Sequence, residues 1–250
     1  MISIFSNLGT ASLIITMLVA LLIGMAKTGV HGAGMLSVPL LAIAFGGRVS
    51  SGLMLPMLLV ADVFGVLYYH RHASFKHLKI LFPWAATGII AGSVAGNFIS
   101  DEVFRVIMVT TIFSSLAVMI WMEMGGREKI PDNIFLGIGA GFLGGFTSMI
   151  GNLAGTVMAV YFLSMRLPKN NFIGTAAWFF LVINWFKVPF HIWVWHTITI
   201  NSWLLALSLL PIILGGAYLG ILLVKKMNDR TYRWFIVGMT MVAAIIMVFK

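Results

Sequence analysis

Ten stretches of this chain are continuously apolar, and its polar residues gather between them. They lie at about 8–27, 33–46, 50–69, 78–99 and 103–123, then 133–150, 154–165, 171–190, 203–225 and 231–249. Most run to about 17–23 residues, the length that carries an α-helix across roughly 30 Å of hydrocarbon. The runs are continuous rather than alternating, which predicts transmembrane helices and not a barrel. Two of them, 33–46 and 154–165, are too short for a comfortable span at ~1.5 Å of rise per residue. Each follows a glycine-interrupted break, Thr28-Gly29-Val30-His31-Gly32-Ala33-Gly34 in one case and Ile150-Gly151-Asn152-Leu153-Ala154-Gly155 in the other. A short segment behind a broken one, twice in one chain, points to a duplication.

Collinear matches support that reading. Pro83 and Pro211 are 128 positions apart, as are Gly88 and Gly216, Gly92 and Gly220, Asp101 and Asp229, and Arg105 and Arg233. Ser74-Phe75 pairs with Ser202-Trp203 at the same offset. Upstream the offset falls to 122, which pairs Gly52 with Gly174 and Asp62 with Asn184. At 121 the breaks align, with Gly34 on Gly155, His31 on Asn152 and Lys27 on Ser148. The expected organisation is one membrane domain of two repeats, 1–126 and 127–250.

Composition fixes the solvent. Hydrophobic residues make up 60% of the chain and charged residues 9%, with a mean hydropathy of +1.04. Sixteen basic and seven acidic side chains in 250 residues cannot cover a water-facing surface. There is no cysteine, which excludes disulfides, thiolate metal sites and a cysteine nucleophile. The net charge of +9 reads as basic cytoplasmic loops rather than as a nucleic-acid surface. The N-terminus, MISIFSNLGT, lacks a basic region, so the first apolar run reads as a retained span and not a cleaved signal. The fold class expected is an all-α polytopic membrane protein, embedded in lipid, with no cofactor.

Loop charges orient the halves. Arg71, Lys76 and Lys79 mark the loop after 69 as cytoplasmic, whereas its repeat partner around His191 to Ile200 has no Lys, Arg, Asp or Glu. Conversely, Asp101, Glu102 and Arg105 face a partner loop with Lys225, Lys226, Arg230 and Arg233 against Asp229. Arg127 with Lys129, and Arg166 with Lys169, fall inside, and Arg48 falls outside. Equivalent loops of opposite bias predict inverted repeats. Each half then crosses an odd number of times, as three spans plus a re-entrant hairpin or as five, and both termini face outward.

Inverted repeats with broken helices are the architecture of secondary transporters, whose substrate sits where the halves meet. A helix broken at glycine exposes unpaired N–H groups at the next helix start, where the helix dipole favours an anion. Two such starts, Gly32 to Met35 and Leu153 to Thr156, would converge on one cavity; as a rival reading, the glycines merely let helices pack closely. These stretches also carry a resemblance. Lys27-Thr28-Gly29-Val30-His31-Gly32-Ala33-Gly34-Met35-Leu36-Ser37-Val38-Pro39, the stretch from Gly141-Phe142-Leu143-Gly144-Gly145 to Gly155, the two-repeat layout and the length resemble the TauE/SafE sulfite exporter family, also called the 4-toluene sulfonate uptake permease family. The resemblance covers nearly the whole chain. It implies export or uptake of a small inorganic or organic anion, such as sulfite, thiosulfate or a sulfonate, across a bacterial inner membrane. Family members typically carry a denser glycine run than Val30-His31-Gly32-Ala33-Gly34, and the second break reads Asn152-Leu153-Ala154-Gly155, which bears on substrate choice.

The candidate substrate-binding residues are Lys27, Thr28, Gly29, His31, Gly32 and Gly34 at the first break. At the second break and beyond they are Ser148, Asn152, Gly155, Thr156, Asn184 and Lys187. Lys27 either supplies a positive charge to the cavity or snorkels to an interface. Thr28, Thr147, Ser148 and Thr156 offer hydroxyls that a carbonyl four residues back can also satisfy. Asp62 is the sole carboxylate deep in an apolar run, roughly 18 Å along its helix. It reads as a coupling site, as a counter-ion to Lys27 or as a helix–helix hydrogen bond; a neutral Asp62 could donate to an anion and release a proton during the cycle. Lys187, three residues after Asn184, reads as a mouth residue that attracts anions or as a snorkelling one. Trp178, Trp185, Trp193, Trp195 and Trp203 read mostly as interfacial anchors, and His70, His72 and His77 as exposed loop residues.

Rival functions fit less well. A membrane-embedded enzyme would want convergent catalytic groups, and there is no His-Glu-x-x-His, paired buried carboxylate or Gly-x-Ser-x-Gly elbow. A cation channel or transporter would line its path with carboxylates or carbonyls, whereas the buried candidates are at least as often basic. A non-catalytic membrane partner leaves the paired breaks unexplained. No Walker A motif is present, so transport would run on an ion gradient or the substrate's own. A homodimer is the assembly considered for the chain.

Overall fold

The structure is a computed structural model that describes residues 9–131 and 133–248. Residues 1–8, on which the retained-span reading of the N-terminus rests, lie outside the described residues. Among the described residues eleven α-helices follow one another: α1 Thr10–Lys27, α2 His31–Phe45, α3 Gly47–Tyr69, α4 Phe75–Ala95, α5 Asp101–Glu123, α6 Ile134–Gly151, α7 Ala154–Ser164, α8 Lys169–Pro189, α9 Ile200–Ser208, α10 Leu210–Lys225 and α11 Asp229–Val248. Short 3-10 turns, His70–His72 and Gly126–Lys129, lie in two of the basic loops. Among the described residues six helices are long and apolar enough to cross a membrane, and the bent pair α9–α10 makes a seventh if it crosses as one span. The chain is therefore a multi-pass, all-α membrane protein.

Both glycine breaks end a helix. After α1, Gly29 takes a φ of +124°, and the N–H groups of Gly29 and Val30 bond back to Ala26 O and Met25 O at 3.4 and 3.0 Å. This Schellman closure satisfies carbonyls that the helix end would otherwise orphan. After α6, Asn152 takes a φ of +55°, a left-handed conformation that asparagine tolerates better than most side chains. The helices that restart, α2 and α7, have 15 and 11 residues, or about 22 and 16 Å, so neither comfortably crosses alone.

The apolar segment 203–225 is not one straight helix. It splits into α9 and α10, which meet at 54°. Pro211 has no N–H to give the preceding turn and its ring crowds a carbonyl there, so the helix restarts around Leu209. Pro189 closes α8 differently, passing into a π-helical turn over Phe190–Val194.

Two helix crossings hold the molecule together, and both are made by glycine. A Cβ added at Gly24 would collide with the carbonyl oxygen of Ile213, and one at Gly216 with that of Leu21, which brings α1 against α10 backbone to backbone. In the same way Gly145 lies on the carbonyl of Ala85 and Gly88 on that of Phe142, which brings α6 against α4. All four approaches keep the offsets of the sequence matches: 24 to 145 and 21 to 142 differ by 121, and 88 to 216 and 85 to 213 by 128. Helices α1 and α6, which end at the two breaks, thus pack in the same way against α10 and α4. Within hydrocarbon such close approach supplies the van der Waals contact that holds helices together.

The basic loops meet at one end. Lys169 Nζ donates to Val224 O at 3.0 Å and also to Met227 O, Arg233 pairs with Glu123 at 3.1 Å, and the Ser74 N–H donates to Thr175 Oγ1 at 2.9 Å.

Candidate functional site

The two breaks line one cavity of about 50 Å³. From the first come Ala26, Lys27, His31, Gly34 and Met35, and from the second Ser148 and Asn152 to Thr156; Met54 and Leu58 of α3 and Phe180 and Asn184 of α8 complete the wall. The volume holds a few waters or one small anion, since a water needs about 10–15 Å³. No side chain caps the start of α2 or of α7. Helix starts in this state present N–H groups and the positive end of the dipole to whatever occupies the cavity.

Lys27 is the last residue of α1, and its ammonium lies 2.8 Å from Asp62 Oδ1 and 4.1 Å from the centre of the Phe180 ring. An ammonium has three protons, and the contact with Oδ1 engages only one of them. Asp62 is fully buried behind Lys27, and its Oδ2 accepts from Asn184 Nδ2 at 2.6 Å. Asp62 and Asn184 are the pair matched at offset 122, and here they touch each other. Lys27 does not snorkel, and Asp62 is its counter-ion.

Lys187 overturns its expectation. It is neither at a mouth nor at an interface but fully buried, donating to Asn152 Oδ1 at 2.6 Å and Ser148 O at 3.2 Å. An ammonium suits that place because the last carbonyls of α6 form the negative end of the helix. Asn152 is thereby oriented: its Oδ1 accepts from Lys187 and its Nδ2 donates to Ser51 Oγ and Ser51 O at 3.1 and 3.2 Å. Among the described residues no carboxylate lies within ion-pair distance of Lys187.

Of the sequence candidates, Lys27, His31, Gly34, Ser148, Asn152, Gly155, Thr156 and Asn184 line the cavity, while Asp62 and Lys187 stand behind it. Thr28 points away, its hydroxyl 2.8 Å from Ala217 O, and ties α1 to α10. Gly29 makes the turn between α1 and α2, and its carbonyl accepts from the Tyr232 hydroxyl at 2.7 Å. Gly32 sits in the first turn of α2. Thr147 and Thr156 bond nearby carbonyls, Leu143 O and Leu153 O, as hydroxyls in helices commonly do.

Two other expectations shift. His77 is buried rather than exposed, its Nδ1 2.9 Å from Tyr161 OH. Trp195 is no interfacial anchor: it is buried and donates to Ser93 O at 3.0 Å, against Gly96. Trp185 and Trp193 are exposed, as belt residues would be. Sequence reasoning missed Phe180, Ser51 and Tyr232. Phe180 had a usable signal, since it lies four residues before Asn184 and so on the same helix face. Tyr232 and Ser51 had none, because they arrive from helices distant in sequence.

The family model described as sulfite exporter TauE/SafE matches residues 15–247. No match was found among curated proteins or among solved structures.

Proposed function

Since the chain belongs to the TauE/SafE sulfite exporter family, a family of membrane transporters, we propose that it is a secondary transporter whose substrate anion occupies the cavity between the two breaks. The observation that carries this reading is the charge balance of the buried site. Two lysine side chains, Lys27 and Lys187, accompany a single carboxylate, Asp62, and the second lysine has only neutral hydrogen-bond partners. A buried charge without a counter-charge is costly, and an anion in the cavity would relieve that cost. The uncapped starts of α2 and α7 add donors of the same preference. A cavity of about 50 Å³ favours a compact oxyanion such as sulfite over an aromatic sulfonate.

The halves, 1–126 and 127–250, act as inverted repeats that rock against each other around this site. Three features support the reading: the reciprocal glycine crossings, the meeting of Asp62 with its mate Asn184, and the gathering of the basic loops at one end. The basic end is cytoplasmic and the membrane is a bacterial inner membrane, as the family implies. Proton coupling runs through Asp62, which exchanges Lys27 for a proton as the anion passes.

Counterflow in proteoliposomes with sulfite, thiosulfate, sulfonates and carboxylates tests the function. Uptake of at least one anion is the expected result, and none from folded protein would sink it. Asp62→Asn should retain anion binding and lose the pH dependence of transport; an unchanged pH profile rejects the coupling.

A further inference from the structure

A second cavity, of about 480 Å³, opens at the basic end. Arg127, Arg166, Lys169 and Arg233 line it together with acidic groups that include Glu123 and Asp229. Arg233 is engaged by Glu123, and Lys169 by the carbonyls of Val224 and Met227. Arg127 differs, because its buried Nε has no hydrogen-bond partner among the described residues. A guanidinium N–H left unpaired in a basic recess is a donor in want of an acceptor.

The floor of this recess includes Phe172 and Tyr232. Directly behind them is His31, which lines the central cavity. The His31 ring meets Phe172 edge-on at 5.0 Å, and Phe172 meets Tyr232 at 5.6 Å. The Tyr232 hydroxyl donates to Gly29 O at 2.7 Å, so the 3.0 Å contact with His31 is a donation from Nδ1–H to the phenol oxygen. One layer of three side chains therefore separates the two cavities. Each comes from the beginning of a different helix, α2, α8 or α11, and the layer is bonded to the hinge carbonyl of the first break.

We propose that His31, Phe172 and Tyr232 form the gate between the central anion site and a basic vestibule in which Arg127 receives the anion. The inference rests on the transport reading above and adds the route by which the site is reached. Closed, the layer presents ring edges and no free charge, which bars an anion. Opening breaks the bond from Tyr232 to Gly29, so movement of the gate and flexing of the α1–α2 hinge are one event.

The chain has no cysteine, so a single thiol reports access. Gly155→Cys supplies it: Gly155 lines the central cavity, and a Cβ there meets no atom within 4 Å. A membrane-impermeant thiol reagent is added to one side of oriented vesicles at a time. From the basic end Gly155→Cys alone should label slowly. Adding Phe172→Ala should speed labelling from that end by about tenfold and leave the other end unchanged. Tyr232→Phe keeps the ring and loses only the hydroxyl bonds, so it covers the case in which Phe172→Ala fails to fold, and it should give a rise of about two- to threefold. Unchanged labelling in the folded variants, or an equal rise from both ends, overturns the gate. Arg127→Gln should raise the KM for anion presented at the basic end about threefold with kcat unchanged, and an unaltered KM removes the vestibule from the proposal. Labelling requires no transport: a gate that opens in a protein moving no anion would leave the gate standing and defeat the transporter reading.

Discussion

The two breaks occupy matched positions in the chain, yet they hold their charges in opposite ways. At the first, the lysine ends the broken helix and the carboxylate comes from α3, so Lys27 and Asp62 neutralise each other. At the second, the broken helix ends in the neutral Asn152, and the lysine comes from α8 and finds only oxygen dipoles. The first break carries a closed ion pair; the second carries a buried lysine held by neutral oxygens alone. Matched breaks thus make an asymmetric site, and the lysine without a carboxylate partner among the described residues is the one on α8.

The largest expected effect tests that assignment. Lys187→Met should lower anion counterflow by about 100-fold, the equivalent of 2–3 kcal/mol, which is within the range for removing one buried charged partner. Its folding should lose about 1–3 kcal/mol, because the groups left behind are a carbonyl and an amide rather than a charge, and counterflow is therefore read on protein confirmed to be folded. Counterflow close to that of the wild type would erase the distinction between the breaks.

The same substitution at the first break should act mainly on stability. Lys27→Met strands Asp62 in the interior and should cost about 3–5 kcal/mol in denaturant unfolding in micelles. Replacing both partners, Lys27→Met with Asp62→Leu, should recover most of that loss, since an apolar pair leaves no orphaned charge. A double variant no more stable than the single would show that the pair is not what Lys27 contributes.

The crossings sharpen the comparison where the halves ought to be alike. Gly24→Ala and Gly145→Ala each push a Cβ into a carbonyl, of Ile213 and of Ala85, and each should destabilise by about 1–3 kcal/mol. Losses that differ by more than the spread of repeat measurements would mean that the two crossings are not mechanically equivalent. The smallest effect belongs to Thr28→Val. It removes a tie to Ala217 O at a cost of about 1 kcal/mol and should leave counterflow within about twofold, because the hydroxyl faces α10 and not the cavity.

Much of the fold could be read from the chain because its cause is local. An apolar run must form a helix in lipid to satisfy its own backbone, so segments such as 103–123 and 133–150 coincide with α5 and α6 to within a residue or two. The kink in 203–225 was less legible. Pro83 sits inside the unbroken α4, whereas its mate Pro211 divides two helices, and nothing in the local pattern distinguishes them. Candidate residues inside the breaks were readable for the same local reason, glycine and polar groups where apolar residues are the rule. Thr28 was misplaced because a residue count does not say which way a side chain turns once the helix has ended. Lys187 was misplaced because its depth along α8 was judged from the end of the apolar run, while the π-helical turn carries the helix on to Val194.

What the sequence determined alone is the solvent, the helices, the position of both breaks and the shortage of buried acids, since each follows from residue type and spacing along one axis. Only the tertiary structure decided that Asp62 neutralises Lys27, that Lys187 lies behind Asn152, and that Phe180, Phe172 and Tyr232 enclose the site. Those partners meet across separations of many tens of residues, and which charges cancel depends on distances of a few ångströms between helices that only packing can set.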